Sequence, residues 1–348
     1  MLLACLALAS FAPLEFRGGD ASFLPEMESL GAKYFDGTKR EDPLRIMKKH
    51  GLNTARLRIW VEPSHGWCNL EKTLKMAKRA KVAGLKVLLD FHYADDWADP
   101  GKQPKPRNWA GLTGAALVQR VEDYSREVVL KLVHQGTPPE VVQVGNEVIS
   151  GMIWPDGKLD YKNPKTWDAF CDLLKAGLRG VKRASPKSLT MIHIDRGANW
   201  ESTRIFYDNL RDRHVEFDLI GQSFYPWWHG TMEQMEENLK NTSERYGKGI
   251  VIVETAYPFT LDKMSGKPHM VDHRYIDKLP FPQTIAGQRQ FVEKLVQLVK
   301  QTPNGLGKGV VWWAPDWLEQ PNKHSVWENL NWYDAHGRVL PAIDALAR

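Results

Sequence analysis

The chain has 348 residues, is 43% hydrophobic, and sets 47 basic against 42 acidic side chains for a net charge of +5. A chain of this size buries roughly three quarters of its unfolded surface, so its three cysteines need not supply a disulfide framework. The charges are dispersed with no Lys/Arg block, which excludes the usual nucleic-acid footprint, and no linker or low-complexity tract divides the chain, so a monomer with one large domain is expected.

Met1 to Ala12 (MLLACLALASFA) is apolar, too short to cross a bilayer, and followed at once by polar chain. It reads as the apolar core of a signal peptide in a leader over residues 1–13, with Ala7 and Ala9, or Ser10 and Ala12, as small residues at a cleavage site. The usual positively charged start is absent. Leu2-Leu3-Ala4-Cys5 also resembles a lipoprotein box. A secreted, periplasmic or cell-surface location is therefore expected, with a lipid anchor at Cys5 as the alternative. Cys68 and Cys171 are expected to remain free thiols.

From residue 14 to 348 the pattern alternates between strand and helix. Leu14 to Ser22 reads as a first strand and turn, and Pro43 to His50 as a short helix. Asn53 to Trp60 is a second strand with Thr54, Arg56, Arg58 and Trp60 on one face and Ala55, Leu57 and Ile59 on the other. Leu70 to Ala83 is helical and stopped by Gly84. Lys86 to Tyr93 is the third strand, with Asp90 and His92 on one face, and a long helix follows over Thr113 to Gln135. Val141 to Val144 is an unalternating apolar strand that ends in Gly145-Asn146-Glu147. After a helix over Thr166 to Ala184 come a fifth strand, Leu189 to Ile194, and its helix, Thr203 to Arg213. Phe217 to Tyr225 is the sixth strand, and Thr231 with Gln234 has capping-box spacing at the start of the next helix. Gly249 to Val253 repeats the design of the fourth strand and delivers Glu254. Phe259 to Gln283 reads as a long surface loop, Ala286 to Lys300 as a helix, and Gly309 to Trp313 as the eighth strand. Eight such units in one domain give a (β/α)8 barrel.

In this architecture chemistry collects at the C-terminal ends of the strands. Glutamates at the ends of strands four and seven would face each other across one pocket. A carboxylate pair about 5 to 5.5 Å apart is what a retaining glycosidase needs, one member as nucleophile and the other as acid and then base. Of the 14 tryptophans only Trp167 falls within an expected helix. The others gather at strand ends and in the following loops, notably Trp60, Trp67, Trp97, Trp109, Trp154, Trp200, Trp227, Trp228, Trp312, Trp313 and Trp317. Indole faces at a pocket rim make platforms for the apolar faces of sugar rings.

Six blocks in order make a resemblance: Gly19-Asp20-Ala21-Ser22; Arg56-Leu57-Arg58-Ile59-Trp60; Asp90-Phe91-His92-Tyr93 with Asp95, Trp97, Ala98, Asp99 and Pro100; Gly145-Asn146-Glu147; Gly221-Gln222-Ser223-Phe224-Tyr225-Pro226-Trp227; and Glu254-Thr255-Ala256-Tyr257-Pro258. From about Gly18 onward the chain resembles the arabinogalactan endo-β-1,4-galactanase family of retaining (β/α)8 glycosidases. The resemblance implies Glu147 as acid/base, Glu254 as nucleophile and β-1,4-galactan as substrate. Substrate contacts are expected from Asp20, Arg58, Trp60, His92, Asp95, Trp97, Asn146, Tyr225, Trp227 and Trp313. Arg58 and a hydrogen bond from Tyr225 are expected to hold the pKa of Glu254 low, and Asn146 to meet a sugar 2-hydroxyl.

One block departs from the family. Where a Tyr-Trp-Glu-Pro-like stretch is expected after strand eight, the chain reads Trp312-Trp313-Ala314-Pro315. No organic cofactor and no catalytic metal are expected, His92 with Asp90, Asp95 and Asp96 suiting sugar hydroxyls better than a metal. The loop with Asp262, Asp272, His273 and Asp277 is long enough to cover the cleft or to hold a structural calcium. Two rivals stand beside the galactanase: an endo-glycanase of the same barrel acting on mannan, xylan or glucan, and a barrel that binds glycan without turnover. A phosphate-binding barrel would want a glycine-rich loop after strands seven and eight, where this chain has Tyr257-Pro258 and tryptophans.

Overall fold

The computed structural model describes residues 12–263, 265–321 and 323–348, so the leader reading, apart from its last two residues, and the Cys5 anchor lie outside the described residues. Eight strands, β1 (Phe16–Asp20), β2 (Thr54–Ile59), β3 (Lys86–Phe91), β4 (Val141–Val144), β5 (Leu189–Ile194), β6 (Leu219–Phe224), β7 (Gly249–Thr255) and β8 (Gly307–Trp312), pair in parallel and close a barrel as β8 returns to β1. Each strand is followed by a helix: α1 (Pro43–Lys49), α2 (Leu70–Ala83), α3 (Gly114–His134), α4 (Lys165–Ala184), α5 (Trp200–Asp212), α6 (Met232–Tyr246), α7 (Ile285–Lys300) and α8 (Ala342–Ala347). This is the expected single (β/α)8 barrel.

Residue alternation builds the barrel in two layers. Outward positions such as Leu57, Leu89, Val142 and Ile252 join the core between strands and helices. Inward positions near the strand starts (Phe16, Leu88, Val141, Met191, Leu219 and Val251) form a separate apolar plug inside the barrel. Two or four residues further along, the inward positions become polar: Asp20, Arg56, Asp90, Gln143, His193 and Ser223, all buried. The apolar plug excludes water from below, and the polar layer above it is the floor of the site.

Two local features set this geometry. A Cβ at Gly18 would lie 1.7 Å from the Thr54 carbonyl oxygen, so β1 approaches β2 closely enough to close the barrel only with glycine there. Between β6 and β7 the register slips: Gln222 pairs with Ile252 but Ser223 pairs with Glu254, leaving Val253 as an extra residue. Val251 and Val253 both face inward. Strict alternation would then turn Glu254 outward, and the bulge restores it to the interior.

The helices carry the expected caps, with Asn69 accepting from the Lys72 amide, Gly84 left-handed after α2, and a reciprocal capping box at Thr231 and Gln234. Three features differ from expectation. Helix α5 starts at Trp200 because Asn199 caps the Ser202 amide, a start that apolar spacing alone does not reveal. The six-residue α8 buries Ala342, Ile343, Ala345 and Leu346 on the barrel wall. The stretch read as a surface loop over residues 259–283 is pinned down: His269 and Val271 are buried, and the Met270 amide donates to the Val326 carbonyl at 2.7 Å. Cys68 and Cys171 are both buried and free.

Candidate active site

At the C-terminal end of the barrel lies a cavity of about 650 Å³, with Glu147, Glu254, Asn146 and Tyr225 at its floor and Trp97, Trp228, Trp313, Trp317 and Trp327 in its walls. Glu254 arrives on the bulged end of β7. Glu147 arrives after β4 through Gly145 (φ +86°) and is itself left-handed (φ +46°). A left-handed glutamate is a strained conformation, of order 1–3 kcal/mol, that the surrounding packing must hold.

Arg56 is the centre of the floor. Its Nη1 donates to Asp20 Oδ2 at 2.8 Å and lies 2.9 Å from Glu254 Oε1. Its Nη2 donates to Asp90 Oδ2 at 2.8 Å, Asn146 Oδ1 at 2.9 Å and Gln143 Oε1 at 3.3 Å. Burial opposes the guanidinium charge, but Asp90, Glu254 and Asp20 together hold it protonated.

This corrects the expectation for Arg58. The inward face of β2 presents both arginines, and the one on Glu254 is Arg56. Arg58 instead sits in an aromatic box, 4.2 Å from the Trp97 ring, 4.5 Å from Phe23 and 4.6 Å from Trp60, with Nη2 3.4 Å from Cys68 Sγ. It backs the Trp97 platform and takes no carboxylate.

The expected low pKa of Glu254 is also corrected. Burial pushes it up to about 7 against the pull of Arg56, and the neighbouring Asp90 and Asp20 add to the rise. One guanidinium facing three buried carboxylates leaves excess negative charge, and the site sheds it by holding a proton. The expected bond from Tyr225 is present, its hydroxyl donating to Glu254 Oε2 at 3.2 Å. Glu147 is pushed well above the ordinary carboxyl range by burial first, then by the charges of Glu254 and Asp195, while a hydrogen bond from Ser223 opposes the rise. Both shifts go upward, and the arginine sits on Glu254, so Glu254 ionises first and Glu147 keeps its proton longer.

The remaining expected contacts divide. Trp97, His92, Asn146, Tyr225 and Trp313 line the cavity. Both His92 nitrogens are engaged: Nε2 lies 3.1 Å from Asp90, while Nδ1 receives Trp60 Nε1 at 3.2 Å and the Ala98 amide at 3.3 Å. His92 therefore offers the cavity a ring edge rather than the hydroxyl partner expected of it. Asn146 gives one Nδ2 hydrogen to the Ala98 carbonyl at 2.9 Å and keeps the other for the cavity.

Asp20, Trp60, Asp95 and Trp227 do not reach the cavity. Asp20 lies beneath Arg56. Trp60 is buried behind His92 and Trp97. Asp95 braces two loops by accepting from the Glu62 and Arg107 amides, each at 2.9 Å. Trp227 is 1% exposed and supports Tyr225, whereas its neighbour Trp228 is 48% exposed and stands at the rim. Of the tryptophans read as rim residues, Trp109 and Trp312 are likewise core.

Sequence reasoning passed over Ser223, Asp195, Arg196, His229 and Trp327. Ser223 carried a signal, standing two residues before Tyr225 on one strand face. Trp327 comes from the long segment after β8 and carried none. Ala314, where the chain departs from the family block, is fully buried and does not itself line the cavity. Among the described residues no three His, Cys, Asp or Glu side chains converge as a metal-ligand set, and no described helix is long and apolar enough to cross a membrane. In the loop named for calcium, Asp272 caps a short helical turn and pairs with Arg274 at 2.8 Å.

The family model described as glycosyl hydrolase family 53 matches residues 16–346. A Niallia circulans protein described only as an uncharacterized protein in the bgaB 5′ region is 40% identical, over 94% of this chain and 92% of its own length. A probable arabinogalactan endo-β-1,4-galactanase A of Neosartorya fischeri is 37% identical, over 91% of this chain and 88% of its own. The solved GH53 catalytic domain of Ignisphaera aggregans superposes with a TM-score of 0.90 at 34% identity, covering 97% of this chain and 98% of that one. The match runs the length of the barrel rather than resting on one motif, and the chain accordingly belongs to glycosyl hydrolase family 53.

Proposed function

We propose that the protein is an endo-acting, retaining hydrolase of β-1,4-galactan, with Glu254 as nucleophile and Glu147 as acid/base. The observation that carries this reading is that glutamates from β4 and β7 meet in one aromatic-walled cavity with distinct partners. Arg56 and Tyr225 hold Glu254, and Ser223 holds Glu147. The galactanase named among the relatives supports the substrate.

In the first step ionised Glu254 attacks the anomeric carbon while Glu147 gives its proton to the departing glycosidic oxygen. A covalent glycosyl ester forms on Glu254 and the leaving chain departs as an alcohol. Ester formation removes the Glu254 charge, and with it the repulsion that added to the effect of burial on Glu147, whose pKa then falls. Glu147 is thereby suited to take a proton from water, whose oxygen opens the ester with a second inversion and net retention. Galactan is met as a polymer outside cells, and we extend the proposal to a secreted enzyme.

The test is release of reducing ends from pectic galactan, with xylan, mannan and cellulose in parallel. Oligosaccharides from galactan alone are expected. Release from another glycan alone would overturn the substrate, and galactan binding without release would leave a binding barrel. The two adjacent tryptophans give a second check. Trp228→Ala is expected to raise KM for the polymer about 3- to 10-fold with kcat little changed, since a rim platform contributes about 0.5–1.5 kcal/mol. Trp227→Ala is expected to act through stability, losing about 3–5 kcal/mol in denaturant titration because the indole is core.

A further inference from the structure

A chain of hydrogen bonds runs from Arg56 to Glu147 without touching the cavity. Arg56 Nη2 donates to Gln143 Oε1 at 3.3 Å. Gln143 Nε2 lies 3.0 Å from His193 Nδ1, His193 Nε2 lies 2.8 Å from Ser223 Oγ, and Ser223 Oγ lies 2.6 Å from Glu147 Oε1. Gln143, His193 and Ser223 are each fully buried, so no water competes for these groups.

The direction of every bond follows from what each group can do. Arginine only donates, so it fixes the oxygen of the Gln143 amide on its side and turns the Nε2 hydrogens away. Gln143 Nε2 gives one hydrogen to Asp90 Oδ1 at 2.5 Å and turns the other toward His193 Nδ1 at 3.0 Å, with Asn146 Oδ1 and the Gly145 carbonyl each at 3.1 Å. The backbone amide of Glu147 donates to the same Nδ1 at 3.4 Å. Neither N–H can accept, and because the hydrogen of the Glu147 amide is fixed by the backbone, it makes Nδ1 the acceptor although Asn146 Oδ1 also lies 3.2 Å away. Nδ1 is therefore bare. Burial and Arg56 keep the ring neutral, so its single hydrogen is on Nε2 and points at Ser223. With its oxygen receiving that hydrogen, the Ser223 hydroxyl has Glu147 Oε1 as its acceptor.

We infer that Ser223, oriented by neutral His193, is a positioning residue that occupies Glu147 Oε1 as an acceptor and so assigns the transferable proton to Oε2. The inference rests on the acid/base role of Glu147 proposed above. Its consequence is that the Arg56–Asp90 pair beneath the nucleophile is linked, through three side chains, to the choice of which acid/base oxygen does the work. In the second step the same hydroxyl holds the ionised carboxylate so that Oε2 faces the attacking water. Glu254, Asp195 and Arg56 also bear on Glu147, and none of them contacts Oε1 through a hydroxyl.

The experiment compares Ser223→Ala, Ser223→Thr and Glu147→Ala with the wild-type protein, using galactan and aryl β-galactosides of graded leaving-group acidity. Ser223→Ala is expected to lower kcat/KM on galactan on the order of 10-fold, the worth of one hydrogen bond to a charged group. It is also expected to move the alkaline limb of the pH profile upward, because the ionised carboxylate loses a donor, and Ser223→Thr should restore both. A folded Ser223→Ala protein with an unmoved alkaline limb would overturn the inference. So would ¹⁵N spectra of the wild-type protein that place the His193 hydrogen on Nδ1, a readout independent of any variant's folding. The Glu147→Ala protein separates the two readings: it should lose activity only on poor leaving groups and lose the alkaline limb. Wild-type behaviour there would remove the acid/base role itself, whatever Ser223 does.

Discussion

Replacing Glu254 by alanine is expected to lower kcat/KM on galactan by on the order of 10⁵-fold, the scale seen when a covalent nucleophile is removed. Reducing-end release should vanish while galactan binding persists, since the aromatic walls are untouched. The wild-type pH profile carries the same assignment. Activity requires Glu254 ionised and Glu147 protonated, so kcat/KM should fall as pH drops below about 7, where burial holds the Glu254 proton. It should fall again at higher pH as Glu147 ionises, the two limbs belonging to the pair rather than to either residue alone. In Glu254→Gln the sign for Glu147 is fixed: the charge that raised it is gone, so its pKa drops relative to wild type while burial still keeps it above the ordinary range. Titration of Glu147 by ¹³C carboxyl shifts would read this directly, and an upward movement would contradict the pairing.

Arg56→Met is expected to be the most damaging substitution away from the two glutamates. It strips the cation from Asp20, Asp90 and Glu254 in a site where Arg56 is 1% exposed. Breaking a buried ionic cluster by removing one partner costs about 3–5 kcal/mol. The pH dependence distinguishes this from a packing defect. In the wild type, burial is the largest single influence and acts to raise Asp90, but Arg56 together with His92 outweighs it and holds the pKa below the usual carboxylate value. That contribution to stability is present above the unfolded value and lost as pH falls through the folded one. Without the arginine the buried carboxylates shift upward, the folded state binds more protons than the unfolded one, and stability falls as pH rises. The deficit in denaturant titrations should therefore shrink on acidification, and a deficit independent of pH would argue against the charge account. Lysine should rescue little, because one ammonium cannot reproduce the two Nη atoms that reach five partners.

Much of this protein is written in local pattern. The βα rhythm, the caps at Asn69 and Thr231, and the two apolar strands ending in Glu147 and Glu254 are properties of neighbouring residues, and spacing is enough to read them. What spacing could not give is depth. Arg56 and Arg58 share one strand face, yet two residues of rise along β2 put the first under Glu254 and the second among Phe23, Trp60 and Trp97. Trp227 and Trp228 are neighbours in the chain, and only the turn after β6 decides that the second reaches the rim. The expectation that Glu254 has a low pKa failed for a related reason: the burial that raises it is set by the whole barrel, and the carboxylates that add to the rise come from β1 and β3, far away in sequence.

The sequence by itself determined the barrel, the two glutamates and the wealth of indoles, because alternation, caps and composition act over a few residues. The tertiary structure decided which arginine meets the nucleophile, which tryptophans face the cavity, and how Ser223 and His193 stand behind the acid/base. It also decided that Glu254 faces inward at all. That orientation depends on one extra residue, Val253, in the pairing of β7 with β6, and strand register is fixed by the partner strand rather than by the strand that carries the glutamate.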